Sequence, residues 1–391
     1  MKRVLRLISH AAALIAPLTP TIVAAAPAVI AHRGVFHDVD SRQTLPENSY
    51  DSVVRAYKLG LSGVELDLRL DSSGDVLIVH DFLSGRSTEQ DNYAGKLNAV
   101  DVLLKNQGSA TTVHFAEHDT EFWRSKALKA YGRGATVFYP SLSGDGDHVQ
   151  SLYSMLKALW DNHPEIMRSN FMIVLDVQDA TVFSKAAQQV RDIHSTANVY
   201  LKFFVHRAIA GDATASGANT CYDYEKSHGL LGVKIIPQIN DGELDITEDD
   251  DAGIEAFGTK YTINDYLTCW ANAAKGSDGA EMPIVSASVP ANNANATNAA
   301  YAALQWAANH DRRRMSIVPN PDAGRTINGT CTLFQFRGND NAAAYFNTQA
   351  RTAKTNFADK SGADFIVWDV MGDVGHQVSY VSPNKFDSNL C

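Results

Sequence analysis

Short apolar, β-branched runs recur along the chain between longer stretches patterned as helices. The runs Ala28–Ala31, Val64–Leu68, Val76–Val79, Phe171–Leu175, Val199–Val205, Val233–Ile236, Pro283–Ala287, Met315–Val318 and Phe365–Val367 read as strands. Glu47–Lys58, His148–Trp160, Ala180–His194, Ile263–Ala274, Asn295–Asn309 and Ala342–Phe357 read as helices. Strands alternating with helices predict βαβ units around a parallel sheet. With Val76–Val79 as a short antiparallel extra, eight strands remain, the number a (β/α)8 barrel needs. An open doubly wound sheet is the competing architecture. No GxGxxG or GxxxxGK[ST] loop follows any of the strands, which weakens it. Two segments break the rhythm: Phe82–Asp147, rich in Gly, Asn, Asp and aromatics, and the acidic stretch Asp241–Phe257. The pattern therefore predicts an α/β TIM barrel with an insertion, about residues 82–147, after its second strand.

Composition changes this picture in two ways. Of 391 residues, 45% are hydrophobic and 20% charged, so the chain can form a core. The formal net charge of −10 argues against nucleic acid as a partner. Residues 1–26 read as a cleaved signal peptide: Lys2, Arg3 and Arg6 precede an Ala-rich apolar stretch that ends in Ala24-Ala25-Ala26. Pro17, Thr19 and Pro20 interrupt that stretch, which is too short for a stable membrane span. The expected mature domain is 27–391, exported to the periplasm or secreted. Its formal charge would be about −13 once the three cations leave. In an oxidising compartment the four cysteines are expected as disulfides, paired by proximity as Cys221–Cys269 and Cys331–Cys391.

Candidate chemistry gathers near the ends of the first strands, where parallel barrels carry their reactive groups. The first strand ends in His32-Arg33-Gly34: an imidazole that titrates near neutrality, a guanidinium suited to phosphate, and a glycine. Glu65 and Asp67 are two apart on the second strand, so both point the same way. Two such carboxylates call for a compensating cation, and oxygen ligands favour Ca²⁺ or Mg²⁺. Pro46-Glu47-Asn48 and His80-Asp81 complete an ordered set within residues 31–81.

That order, HRG then PEN then ExD then HD, resembles the glycerophosphodiester phosphodiesterase family, whose fold is a (β/α)8 barrel. The resemblance implies His32 and His80 as catalytic histidines and Arg33 as the substrate phosphate-binding residue. It implies one divalent cation on Glu65, Asp67 and Glu47. The family's further acidic ligand, from an E-x-K pattern on the third strand, falls on Asp176, with Gln178 in place of the lysine. Lys202 on the next strand either restores that positive charge or is an ordinary strand-edge lysine. Trp368, ending the last strand, either lines the active-site mouth or fills the barrel, and the mouth is favoured. The implied substrate is a small glycerophosphodiester, cleaved to sn-glycerol 3-phosphate and an alcohol.

Two other functions compete. A phospholipase D-like enzyme acting on lysophospholipids or sphingomyelin would use the insertion's aromatics (Phe115, Phe122, Trp123, Tyr131, Phe138, Tyr139) for an acyl chain. A non-catalytic binding barrel would not need both histidines, Arg33, Glu65 and Asp67. Three smaller motifs are set aside. His114-Phe-Ala-Glu117-His118 has a zinc-peptidase spacing without helical flanks or a third ligand. Asp145-Gly-Asp147-His148 reads as a capped helix start, and Glu248–Asp251 as a solvated loop.

Overall fold

The computed structural model describes residues 27–37, 44–82, 84, 87, 88, 113–131, 137, 138, 148–177, 180–193, 198–204, 218–240, 254–274, 280–288, 298–318, 325–327, 330–332, 361–372, 379 and 380. The expected signal peptide, the expected helix 342–357, Gln178, Asp145, Asp147, Glu248–Asp251 and Cys391 lie outside these residues, so the second disulfide does too.

One sheet dominates. Its strands are β1 (Ala28–His32), β2 (Gly63–Leu70), β3 (Val76–Ile78), β4 (Met172–Val177), β5 (Val199–Phe204), β6 (Lys234–Asn240), β7 (Ile284–Ser288), β8 (Arg313–Val318) and β9 (Phe365–Trp368). Eight of them run parallel in the order β1-β2-β4-β5-β6-β7-β8-β9, and β9 pairs back to β1, closing a TIM barrel. β3 pairs antiparallel with β2, as the sequence pattern predicts. Each apolar run matched a strand because both faces of a closed parallel sheet are buried, so its strands read as near-continuous apolar stretches.

The helices are α1 (Tyr50–Lys58), α2 (Thr120–Arg124), α3 (Leu152–Asn162), α4 (Pro164–Arg168), α5 (Ala180–Arg191), α6 (Cys221–Ser227), α7 (Ile263–Ala273) and α8 (Asn298–Asn309). Their apolar faces cover outward strand residues such as Ala31, Leu66, Leu175 and Leu201 in one continuous core. Inside the barrel, Ile30, Met172, Val174, Tyr200, Ile236, Ile284, Met315 and Val367 form a separate apolar plug. Strand alternation then sets the polar layer above it. No helix among the described residues is long and apolar enough to cross a membrane.

Two helix starts fall later than the pattern predicts, for one reason. α1 begins at Tyr50, not Glu47, because Ser49 is the N-cap and its hydroxyl accepts from Ser52 N–H at 3.2 Å. α3 begins at Leu152, not His148, because Ser151 caps it in the same way. The acidic stretch ends in a hairpin rather than a loop. Ile254–Ala256 pairs with Thr259–Tyr261 across Phe257 and Gly258, both at positive φ, as a two-residue primed turn requires.

The described part of the insertion packs its own small core on β3: Leu77, Val79, Phe115, Trp123, Leu128 and Val149. Trp123 Nε1 donates to the carbonyls of Phe115 (2.8 Å) and His118 (3.1 Å). Phe115 and Trp123 are thus committed to packing and are not available to an acyl chain. The His114–His118 motif is a helix cap. The His114 ring accepts from Ala116 N–H, and the Glu117 carboxylate accepts from His114 N–H, around a single 3₁₀ turn at Phe115–Glu117.

Cys221 and Cys269 form a disulfide that ties α6 to α7, the pairing that proximity predicts. Closing a loop of 48 residues removes about 4 kcal/mol of unfolded-chain entropy. One turn further along α6, Glu225 is fully buried. Its Oε2 accepts from Ala280 N–H at 3.1 Å, and its Oε1 has no hydrogen-bond partner among the described residues. Burial pushes this carboxyl up to about 7. A folded-state value above the unfolded one means the folded protein binds the proton more tightly. This contribution is present below about pH 4.5 and is lost as pH rises towards 7. Glu225→Gln keeps the acceptor for Ala280 and removes the charge. Thermal melts should show the variant stabilised by about 2 kcal/mol at pH 8 and near wild type at pH 5. An equal difference at both pH values would show that the carboxyl's charge is irrelevant.

Candidate active site

β1 delivers the first two site residues through a sharp turn. Arg33 has φ 56° and Gly34 has φ 81°. A side chain at Gly34 would bring its Cβ within 2.2 Å of Ser52 Oγ and 2.9 Å of Ser52 backbone carbon, so only glycine fits beneath α1. The left-handed conformation of Arg33 is unfavourable for an L-residue. It is held by its carbonyl, which accepts from Asn48 N–H (3.0 Å) and Ser52 Oγ (3.2 Å). The HRG triplet is therefore a positioning device: His into the barrel mouth, Arg across it, Gly against the helix.

The Pro46-Glu47-Asn48 segment is the turn before α1, with Asn48 also at positive φ (56°). This conformation turns both side chains inward. Arg33 Nη1 donates to Glu47 Oε1 at 3.2 Å, and Arg33 Nε pairs with Asp67 Oδ2 at 3.0 Å. Asn48 Nδ2 donates to Asp67 Oδ2 at 2.9 Å, while Asp67 N–H donates to Asn48 Oδ1 at 3.1 Å. The sequence shows Asn48 only as the last residue of the PEN triplet, and the structure makes it the clamp on Asp67.

Register explains the carboxylate cluster. Asp67 on β2 is level with Asp176 on β4, which is level with Lys202 on β5. Glu65 on β2 is level with His32 on β1. Glu65, Asp67 and Asp176 bring carboxylate oxygens within 4.8 Å of one another, all buried. Glu47 is not one of this cluster; its carboxylate accepts from Arg33 instead. Lys202 is only 2% exposed, so it is no strand-edge lysine. Its Nζ lies 2.9 Å from Glu65 Oε1 and 3.0 Å from Asp176 Oδ1. Burial opposes its charge, but Asp176 and Glu65 outweigh that and hold its pKa above the ordinary lysine value. Burial pushes Glu65 upward. Asp67 is held well below the usual carboxylate range, because Arg33, the two imidazoles and Asn48 more than offset burial.

Each candidate histidine has a carboxylate behind it. His32 Nδ1 lies 2.8 Å from Asp369 Oδ1, and His80 Nδ1 lies 2.7 Å from Asp81 Oδ1. Such partners fix ring orientation and tautomer and leave Nε2 for chemistry. Burial disfavours the His32 cation, yet Asp369 and Glu65 raise its pKa overall. Arg69 Nε donates to the His80 carbonyl at 2.8 Å, fixing the backbone that carries the second imidazole. Asp369, Asp81, Asn48 and Arg69 were not read from the sequence as site residues. For Asp369 a signal existed. Val367 lies in the barrel plug, so Asp369, two residues on, faces the same way. By the same alternation Trp368 faces outward and packs with Ile366, so its expected place in the mouth is corrected.

The residues present fit a divalent cation. Glu65 Oε2 is buried with no hydrogen-bond partner among the described residues, beside two more carboxylates. Such a hard oxygen set suits Ca²⁺ or Mg²⁺.

Residues 32–214 match a family model described as the glycerophosphoryl diester phosphodiesterase family. The chain is 38% identical over 80 residues to a glycerophosphodiester phosphodiesterase of Caldanaerobacter subterraneus subsp. tengcongensis, covering 20% of this chain and 30% of that protein. It is 24% identical over 143 residues to glycerophosphodiester phosphodiesterase 1 of Homo sapiens, covering 36% of this chain and 40% of that one. The chain thus matches less than half the length of either relative. The crystal structure of a glycerophosphoryl diester phosphodiesterase from Parabacteroides distasonis is similar over 91% of this chain and 92% of its own. That match has 12% identity and a TM-score of 0.45.

Proposed function

We infer that this chain, which over residues 32–214 matches the glycerophosphoryl diester phosphodiesterase family, hydrolyses glycerophosphodiesters to sn-glycerol 3-phosphate and an alcohol. The observation that carries this reading is a pair of imidazoles at the barrel mouth, each backed by a carboxylate, beside a buried carboxylate cluster.

In this reading one imidazole takes the proton from the attacking oxygen through Nε2. The other delivers a proton to the leaving alkoxide as the phosphorus–oxygen bond breaks. Asp369 and Asp81 hold the two rings and stabilise whichever is the cation. Arg33 places fixed positive charge at the phosphate, where negative charge develops. Glu65, Asp67 and Asp176 would hold a divalent cation, Ca²⁺ or Mg²⁺, which when bound neutralises phosphoryl oxygens as a Lewis acid. The Cys221–Cys269 disulfide supports an oxidising compartment, consistent with an exported enzyme.

The test is a substrate panel run with chelator and with each cation. Glycerophosphocholine should release glycerol 3-phosphate, chelation should abolish the release, and Ca²⁺ or Mg²⁺ should restore it. Full turnover in chelator would remove the cation from the mechanism. Faster turnover of lysophosphatidylcholine would move the substrate class to lipids.

A further inference from the structure

We propose that Lys202 is a built-in competitor for the cation site. Its ammonium offsets part of the charge of Glu65 and Asp176 while no metal is bound, and it must yield them when a divalent cation loads. The inference rests on the metal reading above and concerns this chain's own departure at the third strand. There a shorter Asp176 and Gln178 stand in the sequence, while the lysine comes from the neighbouring strand.

Three observations carry it. First, Lys202 contacts two of the three clustered carboxylates, at 2.9 and 3.0 Å, so cation and ammonium would draw on the same oxygens. Second, the remaining carboxylate, Asp67, is already held by Arg33 and Asn48. Its negative charge is therefore largely answered before any metal arrives. Third, Glu65 presents one oxygen to Lys202 while the other, Oε2, is buried without a hydrogen-bond partner among the described residues. The cluster can therefore admit a cation, but only next to an ammonium held 2% exposed. Two cations a few ångströms apart with little water between them repel strongly. Lys202 thus offsets part of the cluster's negative charge and keeps its metal affinity low. An incoming phosphodiester anion offers the displaced ammonium a new partner, so cation and substrate would load together.

The experiment is calorimetric titration of Ca²⁺ alone into metal-stripped wild type, Lys202→Met and Lys202→Arg, without substrate. Lys202→Met should bind Ca²⁺ at least 10-fold more tightly than wild type. Lys202→Arg, which keeps the charge, should bind no more tightly than wild type. Equal or weaker binding by Lys202→Met would overturn the proposal, as would absence of Ca²⁺ binding in both proteins. Glycerophosphocholine turnover by wild type reports separately on the phosphodiesterase reading. Lys202→Met leaves two buried carboxylates without their cation, so its folding is followed by circular dichroism with and without Ca²⁺. Folding rescued by Ca²⁺ supports the proposal. Failure to fold even with Ca²⁺ overturns it, since the metal would then be unable to take the ammonium's place.

Discussion

In the proposed reaction, His80→Ala should lower kcat on a glycerophosphodiester by roughly 10²–10⁴-fold, the scale on which a positioned acid or base acts. His80 is suited to that role by its surroundings. Its ring is held at Nδ1 by Asp81, its backbone is anchored by Arg69, and its side chain retains 20% exposure at the mouth. The partial exposure also makes the variant informative. No large core cavity opens, so the fold should survive and the loss is read as chemistry. His32→Ala should fall in the same range, with Asp369 left without its partner. The pH profile separates a lost proton carrier from a displaced one: each alanine variant should lose one limb of a bell-shaped curve. Near-wild-type turnover in either variant would remove that imidazole from the mechanism.

Arg33→Ala should destabilise the folded protein by about 3–5 kcal/mol, the usual result of removing one partner from a buried ion pair. Arg33 is 1% exposed and serves Glu47 and Asp67 at once. Alanine leaves Asp67 among acidic neighbours with only Asn48 donating to it among these contacts. Arg33→Lys should lose less, because the charge survives while the planar fork does not. The sign of the pH dependence follows from Asp67, whose pKa is depressed in the folded state. Its contribution is present above the unfolded carboxylate value and is lost as pH falls below it. The gap between wild type and Arg33→Ala should therefore narrow on acidification. Denaturant melts at pH 7 and pH 3 measure it. A gap under about 1 kcal/mol at pH 7 would mean that water or rearrangement replaces the guanidinium.

Which residues were legible beforehand depended on how far along the chain their partners lie. His32, Arg33, Glu65, Asp67 and His80 are local, carried by adjacent strands and their turns, and their order is visible without a fold. Asp369 answers His32 from the other end of the chain, across the seam where β9 meets β1, and no local pattern joins them. Trp368 looked like a pocket residue because aromatic walls are common in ligand pockets. The alternation set by Val367 gives the site its neighbour instead. Glu47 was expected at a helix start. The Ser49 cap places it in the turn before α1, where its carboxylate meets Arg33.

The sequence alone was enough for the barrel, since burial on both faces writes each parallel strand as an apolar run regardless of its partners. It was also enough to set Glu65 and Asp67 on one face of β2, because a two-residue spacing on a strand fixes a shared face. Closure and register supplied the rest. They set Lys202 between Glu65 and Asp176, put Asp369 behind His32, and turned Trp368 away. The physical reason is that a buried charge takes its environment from residues near in space. In a closed barrel those neighbours come from strands tens to hundreds of residues away.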